Sequence, residues 1–493
     1  MMVTMPVWLW LLLIQGEITD QVFGEHPPGP LSVGIRFMVL EDERRFMPAP
    51  GDQGEWSWKQ RILSAAMWYP IEDPQPARPL TLAQLLQLTE RPGAPHFGRE
   101  FMERRAAWEK GGVAAEAIER HLQQPTRAFL DRPAASAITH MIILAPMPLS
   151  PLFSNYVLAE FLASHGYLVI SFQPFGWGAN MMDTGVADVA EQVQDLRFIR
   201  AWAMDRFPDM EGVGLVGHSW SGLVALATAG EPWVKAVVSL DGSEEYWRDV
   251  IRTFLDQQGG HPGAPYLRIQ QPEAADFGLF ENLRHPSAYR LSLPHLSHSA
   301  FGSWSHVVRS LKGTGKPQSK AAYFVLMDAV LWFLGAHLKG QNEDLQLWQD
   351  FLAGYANGKA ALGQLEQTQI AQAPPTLQQV LKAGKTKEVN AFGAWLKGLR
   401  EEGRLPGAAV LLRASELFLW NLEHYPQTEM TLRWALLQYP THGGLHEIMA
   451  FYHEYQGQFS LAAHHHRLAH QFSPDRLRSG HFLREQSEAE RQE

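Results

Sequence analysis

Between residues 138 and 270, short uninterrupted apolar runs alternate with segments of helical period, and this alternation restricts the possible folds more than any other feature. The runs fall at 141–145, 167–172, 213–216, 236–240 and 266–269. Residues 154–164, 186–207 and the stretch opening at Ser221 carry the helical pattern. A strand that is solidly apolar, rather than alternating, is covered on both faces. Such strands separated by helices are βαβ units of a mostly parallel sheet, an α/β architecture. Residues 321–338 add a strongly apolar helix. Asp328 interrupts it, so it reads as packed on the sheet and not as a membrane span, and the chain is not expected to be an integral membrane protein. Upstream, 35–40 and 65–69 read as early strands and 101–122 as a helix.

Composition removes several classes of function. The chain has 493 residues, room for two or three domains of roughly 100–200 residues each. It is 45% hydrophobic, which permits a large core. A net charge of −10 argues against a nucleic-acid surface. Cysteine is absent, which excludes disulfides, thiolate metal sites and a cysteine nucleophile. No Walker A loop, no GxGxxG after a strand and no HExxH occurs, so no cofactor or metal is expected. His464-His465-His466 looks like a metal cluster, but successive helical residues point about 100° apart. A solvated helix face is the expectation there.

The sharpest local signal is Gly217-His218-Ser219-Trp220-Ser221-Gly222, between the run at 213–216 and the helix that follows. Strand, tight turn and helix are the context of a nucleophile elbow, which exposes a serine hydroxyl above a sheet and demands small residues two before and two after it. Here those residues are Gly217 and Ser221, the second departing from the usual glycine. A serine hydroxyl needs a base, and the base needs an acid. In this arrangement the chain order is Ser, then Asp or Glu, then His. Asp241 follows the run at 236–240, at the end of a strand where sites of open α/β sheets lie, although an Asp there can also cap a helix. Glu244, Glu245 and Asp249 lie further from the strand end. For the histidine, position leaves His295, His298 and His306 open, after a strand expected near 289–293. His298 leads into Ser299-Ala300-Phe301, whose Phe301 can pin the loop by burial.

From about 30 to 340 the sequence resembles the platelet-activating factor acetylhydrolase and dienelactone-hydrolase-like branch of the α/β-hydrolases. The residues that carry the resemblance are Trp68-Tyr69-Pro70, the stretch 158–167, the elbow, Leu240-Asp241 and His298-Ser299-Ala300-Phe301. It implies an α/β-hydrolase fold. With no cysteine available, it implies the serine branch, with Ser219, Asp241 and His298 as the triad; the acetylhydrolases carry a similar histidine followed three residues later by Phe. It also implies hydrolysis of esters, often short acyl chains on lipids. One oxyanion donor is expected to be Trp220 N–H, after the nucleophile. The other should come from Ala145-Pro146-Met147-Pro148-Leu149. Pro148 falls on the donor position and has no N–H, which leaves Met147, or Leu149 if the loop shifts. Losing one such donor costs about 10²–10³ in rate. Trp177 and Trp220 are candidates for lining an acyl pocket, with core packing the equal alternative.

Beyond about residue 345 strand signals stop. Pro406, Pro440 and Pro474 recur at intervals of 34 residues. Ala394, Thr428 and Ala462 precede them by a constant offset, Ala435 and Ala469 mark a second, and Gly457 sits where a turn would fall. This resembles the tetratricopeptide repeat, a helical hairpin of that period, and implies a protein partner or a cover for the site. At the other end, 7–14 is an apolar run too short to span a membrane. It has the length of a signal-peptide core, with Gly16 as a candidate small residue at a cleavage site and no Lys or Arg before Arg36; export to the periplasm or outside the cell is the expectation. The expected organisation is an apolar segment at 1–24, a hydrolase domain at 25–340, a linker at 341–372, a helical repeat-like region at 373–480 and a polar tail at 481–493. Two rivals remain for function: an inactive hydrolase-fold scaffold that binds partners through its helices, and a serine peptidase on the same fold.

Overall fold

The computed structural model describes residues 26–472, except 51–55, 73–77, 89–108, 111, 136–137, 149, 175–183, 259–261, 275–278, 284–286, 341, 357–363, 368–374, 376, 402–405, 407, 423 and 441. The apolar run at 7–14, Trp177, Leu149 and Pro474 lie outside the described residues, as does the polar tail at 481–493.

Ten described strands form one sheet. They are β1 (Ser32–Pro50), β2 (Trp56–Ile71), β3 (Ala128–Leu130), β4 (His140–Ala145), β5 (Leu168–Phe172), β6 (Gly212–His218), β7 (Val234–Leu240), β8 (Tyr266–Gln270), β9 (Ala288–Ser292) and β10 (Gln364–Gln367). Their order is β10-β9-β8-β7-β6-β4-β5-β2-β1-β3. The run from β5 to β9 is parallel throughout. β2 pairs antiparallel with β5 and with β1, and β10 antiparallel with β9. A mostly parallel sheet was legible in the solid apolar runs, and the architecture is consistent with an α/β-hydrolase fold.

The reason those runs are solid is visible in β4. Ile142 and Leu144 enter one hydrophobic cluster, and Met141 and Ile143 the other. Alternate residues point to opposite faces, and both faces are covered. The first cluster is closed by α3 (Tyr156–Ser164), α9 (Pro317–Leu334) and α10 (Asn342–Ala356). The second is closed by α4 (Val186–Arg206), α5 (Trp220–Thr228) and α6 (Arg248–Gln258). Helix α9 has the length and apolarity of a membrane span, but Tyr323, Leu326, Met327, Val330 and Phe333 bury it against the sheet. Its Asp328 meets His26 at 3.1 Å.

Three expectations change. The expected helix over 101–122 is interrupted: residues 109–110 are helical, Gly112 turns at φ +86°, and α2 spans Ala115–Leu122, while residues 101–108 and 111 lie outside the description. The sheet does not stop before residue 345: β10 forms its edge, and Trp348 of α10 is fully buried beside Tyr289 and Phe333. The strand-bearing unit therefore continues past 340. β10, which reads Gln-Leu-Glu-Gln, left no apolar run because an edge strand needs none. The third change is in the helical region, which holds α11 (Leu377–Thr386), α12 (Val389–Glu401), α13 (Ala408–Glu416), α14 (Tyr425–Gln438), α15 (Gly443–Tyr455) and α16 (Phe459–Phe472) around a core of its own. Thr428, Ala435, Ala462 and Ala469 are fully buried and Gly457 turns at φ +70°, but Ala394 is exposed. The buried stripe of α12 is Phe392, Leu396 and Leu399, which puts residue 394 on the opposite side of the helix.

A charge cluster ties the β1–β2 hairpin to α4. Arg61 is fully buried, donating from Nε to Asp195 Oδ1 at 2.6 Å and from Nη2 to Oδ2. Arg45, set off by a register shift between Asp42 and Phe46, bonds Asp42, Glu191 and Asp195. Removing one partner of a buried pair leaves an uncompensated charge, which costs about 3–5 kcal/mol, whereas replacing both by apolar groups is often neutral. Asp195→Ala is therefore expected to lose stability of that order, and Arg61→Met with Asp195→Leu to recover most of it, as read by chemical denaturation.

Candidate active site

The candidate residues all sit at the C-terminal ends of parallel strands, where loops leave the sheet on one edge. Ser219 follows β6, Asp241 follows β7 and His298 opens a short 3-10 turn (His298–Phe301) a few residues after β9. Ser219 and His298, 79 positions apart in the chain, converge because β6, β7, β8 and β9 are parallel neighbours in that order.

Ser219 has φ +60° and ψ −125°, a region L-residues avoid. The surrounding backbone requires it. Ser219 N donates to Leu240 O at 3.0 Å, and Ser219 O accepts from Gly222 N and Ser243 N. A Cβ on Gly217 would lie 2.0 Å from Ser221 O, so only glycine permits strand and helix to approach this closely. Ser221 explains its own departure from glycine: its hydroxyl donates to Pro146 O at 2.7 Å, joining the first turn of α5 to the loop after β4. In a trans peptide the C=O and the following N–H point opposite ways. The bond to Pro146 thus turns Met147 N–H away from the Ser221 hydroxyl, while Met147 O closes a turn by accepting from Ser150 N. Trp220 N–H lies at the N-terminus of α5, where unsatisfied amides and the helix dipole favour negative charge.

His298 Nε2 lies 3.0 Å from Ser219 Oγ and its Nδ1 2.7 Å from Asp241 Oδ2. The other oxygen of Asp241 accepts from Gln271 N at 3.0 Å, and Asp241 N donates to Ile269 O. Asp241 has φ +45°, a conformation Asp tolerates better than most residues. With Nδ1–H donating to the carboxylate, Nε2 carries the lone pair that faces the hydroxyl. Ser219 and Asp241 are largely buried, and the His298 side chain is about half exposed, so the site opens to solvent from the histidine side.

Sequence position left three histidines open, and the geometry separates them. His295 is exposed, with φ +74°, and His306 is buried with Nε2 donating to Ala300 O at 2.9 Å. Only His298 reaches both partners. Phe301, at the end of the same turn, is fully buried. Of the alternative acids, Glu245 is consumed by Arg268 at 3.1 Å and by the amides of Leu279 and Phe280, Glu244 accepts from Tyr266 Oη, and Asp249 is exposed. Trp220 is buried in the core with Trp247 edge-on at 5.7 Å, so its side chain packs and its backbone faces the elbow.

No protein-family model matches the chain, and no curated protein does. Among solved structures, a ferulic acid esterase from Streptomyces cinnamoneus is similar, with 20% identity over 64% of this chain and 92% of that chain, at a TM-score of 0.43.

Two contributors escaped the sequence reading. One is the Ser221 hydroxyl. The other is His218, buried behind the contacts of Ser219, His298 and Asp241 with Nε2 donating to His298 O at 2.9 Å; it occupies a position in the motif that any residue can fill, so nothing marked it. The triple histidine also differs from expectation. His464 is exposed, but His466 lies fully buried on the stripe of Ala462 and Ala469 and bonds Glu454 at 2.9 Å. His465 stacks between His446 and His453. Among the described residues no three or more His, Asp or Glu side chains converge as they would around a metal ion.

Burial pushes His218, His306 and His337 down to about 4, from an ordinary 6.5. Between those values the unfolded chain binds protons that the native state refuses, so the stabilisation is complete above pH 6.5 and is lost as pH falls through 4. Urea midpoints are expected to drop across that window, and His337→Phe, remote from the triad in sequence and role, to flatten part of the slope. A second expectation concerns strain. Ser219→Gly removes the cost of positive φ and Ser219→Ala keeps it, so the glycine variant is expected to be more stable than the alanine variant by about 1 kcal/mol or more in denaturant titrations.

Proposed function

We propose that the protein is a serine hydrolase that cleaves carboxylic esters, with Ser219 as nucleophile, His298 as base and Asp241 as the acid that orients it. The observation that carries this reading is the continuous contact from Ser219 Oγ through both ring nitrogens of His298 to Asp241, with the serine in a strained turn between strand and helix. A decayed scaffold has no reason to keep such strain, which argues against the inactive rival.

In this mechanism His298 Nε2 takes the proton of Ser219 as Oγ attacks the ester carbonyl. The Asp241 carboxylate holds the imidazole in the Nδ1–H tautomer and stabilises the imidazolium that forms. Trp220 N–H, at the positive end of α5, receives the oxyanion. Met147 N–H is the second donor: Pro148 cannot serve, and the Ser221–Pro146 bond sets the orientation of the peptide before it. His298 then protonates the departing alcohol, and the same histidine activates the water that releases the acyl group.

The resemblance to the acetylhydrolase branch supports short-chain esters, lipid esters included, as substrates. The six helices from 377 to 472, with a core of their own and α13 lying against α6, fit a repeat-like region that binds a protein partner. The short apolar run near the N-terminus supports export. A panel of esters and peptides with matched acyl groups distinguishes the esterase from a peptidase.

Labelling by a fluorophosphonate probe is the direct test. Wild type is expected to label and Ser219→Ala not to, with turnover of p-nitrophenyl acetate falling by about 10⁴ or more in Ser219→Ala and in His298→Ala. A folded wild-type protein that neither labels nor turns over esters sinks the reading.

A further inference from the structure

We propose that His218 is a positioning residue for the base: its side chain ties the backbone of His298 to the residue that carries the nucleophile. The inference rests on the hydrolase reading and deepens it. His218 Nε2 and the His298 carbonyl are 2.9 Å apart. A carbonyl only accepts, so the proton of this imidazole is on Nε2 and Nδ1 is bare. The contact therefore has a fixed direction, with His218 as donor.

The consequence is a closed ring of connections. His218 and Ser219 are joined by a peptide bond. The His218 side chain grips His298 O, and the His298 ring returns to Ser219 Oγ at 3.0 Å. The base and the nucleophile are thereby held by two independent routes, one through the reacting atoms and one behind them. The second route is dry. His218 is 2% exposed, its ring lies 5.3 Å from that of His298 and 6.4 Å from Phe301, and it ends the fully buried strand β6.

The donor also keeps its character through the reaction. His298 gains a proton as Ser219 attacks, and a second cation against it would oppose that step. Burial first, and the neighbouring His298 second, hold His218 neutral, with its ionisation near 4. It therefore remains a neutral N–H donor over the range in which His298 works as a base. His306 makes the equivalent contact two residues on, from Nε2 to Ala300 O, so the turn that carries the base hangs from two buried imidazoles. A misplacement of about 1 Å in a catalytic group can cost 10²-fold in rate; the helix Ser303–Leu311 anchors the far end of this turn through Ser154 and Asn155, and the His218 contact holds the end that carries the base.

A plain core-filling role makes a different prediction, because phenylalanine fills the same ring volume. The test compares His218→Phe and His218→Leu, which lack the donor, with His218→Gln, whose amide N–H reaches a similar point. Each is measured for p-nitrophenyl acetate turnover and for the rate of fluorophosphonate labelling, on protein shown to be folded by near-ultraviolet circular dichroism. The two donor-less variants guard against one of them misfolding. The expected result is a kcat reduced roughly 10–100-fold with KM little changed, labelling slowed in parallel, and most of the loss recovered by His218→Gln. Wild-type kcat in a folded donor-less variant overturns the proposal. So does a His218→Gln variant as impaired as His218→Phe, which would assign the loss to packing. Ser219→Ala separates the two levels of failure. If wild type itself shows no Ser219-dependent labelling, the hydrolase reading falls; if it does and His218→Phe is unimpaired, only the positioning role falls.

Discussion

A serine forced to positive φ between a strand and a helix is the constraint on which the rest of this structure turns. Holding a residue in such a conformation costs on the order of 1–3 kcal/mol and persists only where the surroundings over-determine it. Here they do. The backbone of Ser219 is bonded to Leu240, Gly222 and Ser243, so the turn is braced by the end of the neighbouring strand β7 as well as by its own helix. Gly217 allows β6 and α5 to come within van der Waals contact, and the Ser221 hydroxyl carries the brace to Pro146. One short segment thus ties together strands β4, β6 and β7, which are adjacent in the sheet.

Asp241 and His298 are held by the same principle, with polar groups placed where they cannot be lost to water. Asp241 sits at a second strained position, and its carboxylate is shared between a backbone amide and the histidine. The turn bearing His298 is bonded within itself from Ala300 N to Ser297 O and from Gly302 N to Ser299 O, buries Phe301, and receives two buried imidazoles on its carbonyls. Burial keeps those imidazoles neutral, which makes them reliable donors near neutral pH and a source of acid lability below it. Rigidity at the site and loss of stability in acid therefore share one cause.

Residues far from Ser219, Asp241 and His298 follow a more ordinary logic. The Arg61–Asp195 pair links the long hairpin to α4 through charge rather than apolar contact, and the helical region packs around its own core. The buried His466 in α16 shows how little a run of identical residues says about environment: three consecutive histidines include one exposed, one stacked and one fully buried.

The sheet, the strand-to-helix turn at Ser219 and the place of Asp241 could be read from residues alone because each leaves a local mark. Strands buried on both faces are solidly apolar, a tight strand-to-helix turn needs Gly217, and Asp241 stands directly at a strand end. The choice among His295, His298 and His306 had no local mark, since a loop histidine carries no periodicity; the resemblance singled out His298, and convergence of β6, β7 and β9 brings it within 3.0 Å of Ser219. The edge strand β10 was invisible because an edge needs no apolar residues, and Ala394 misled because a period counts residues but not which side of a helix they occupy. His218 was invisible for a further reason. Its partner lies 80 residues away in the chain, and a hydrogen bond of that span exists only once the sheet has brought the two strand ends together.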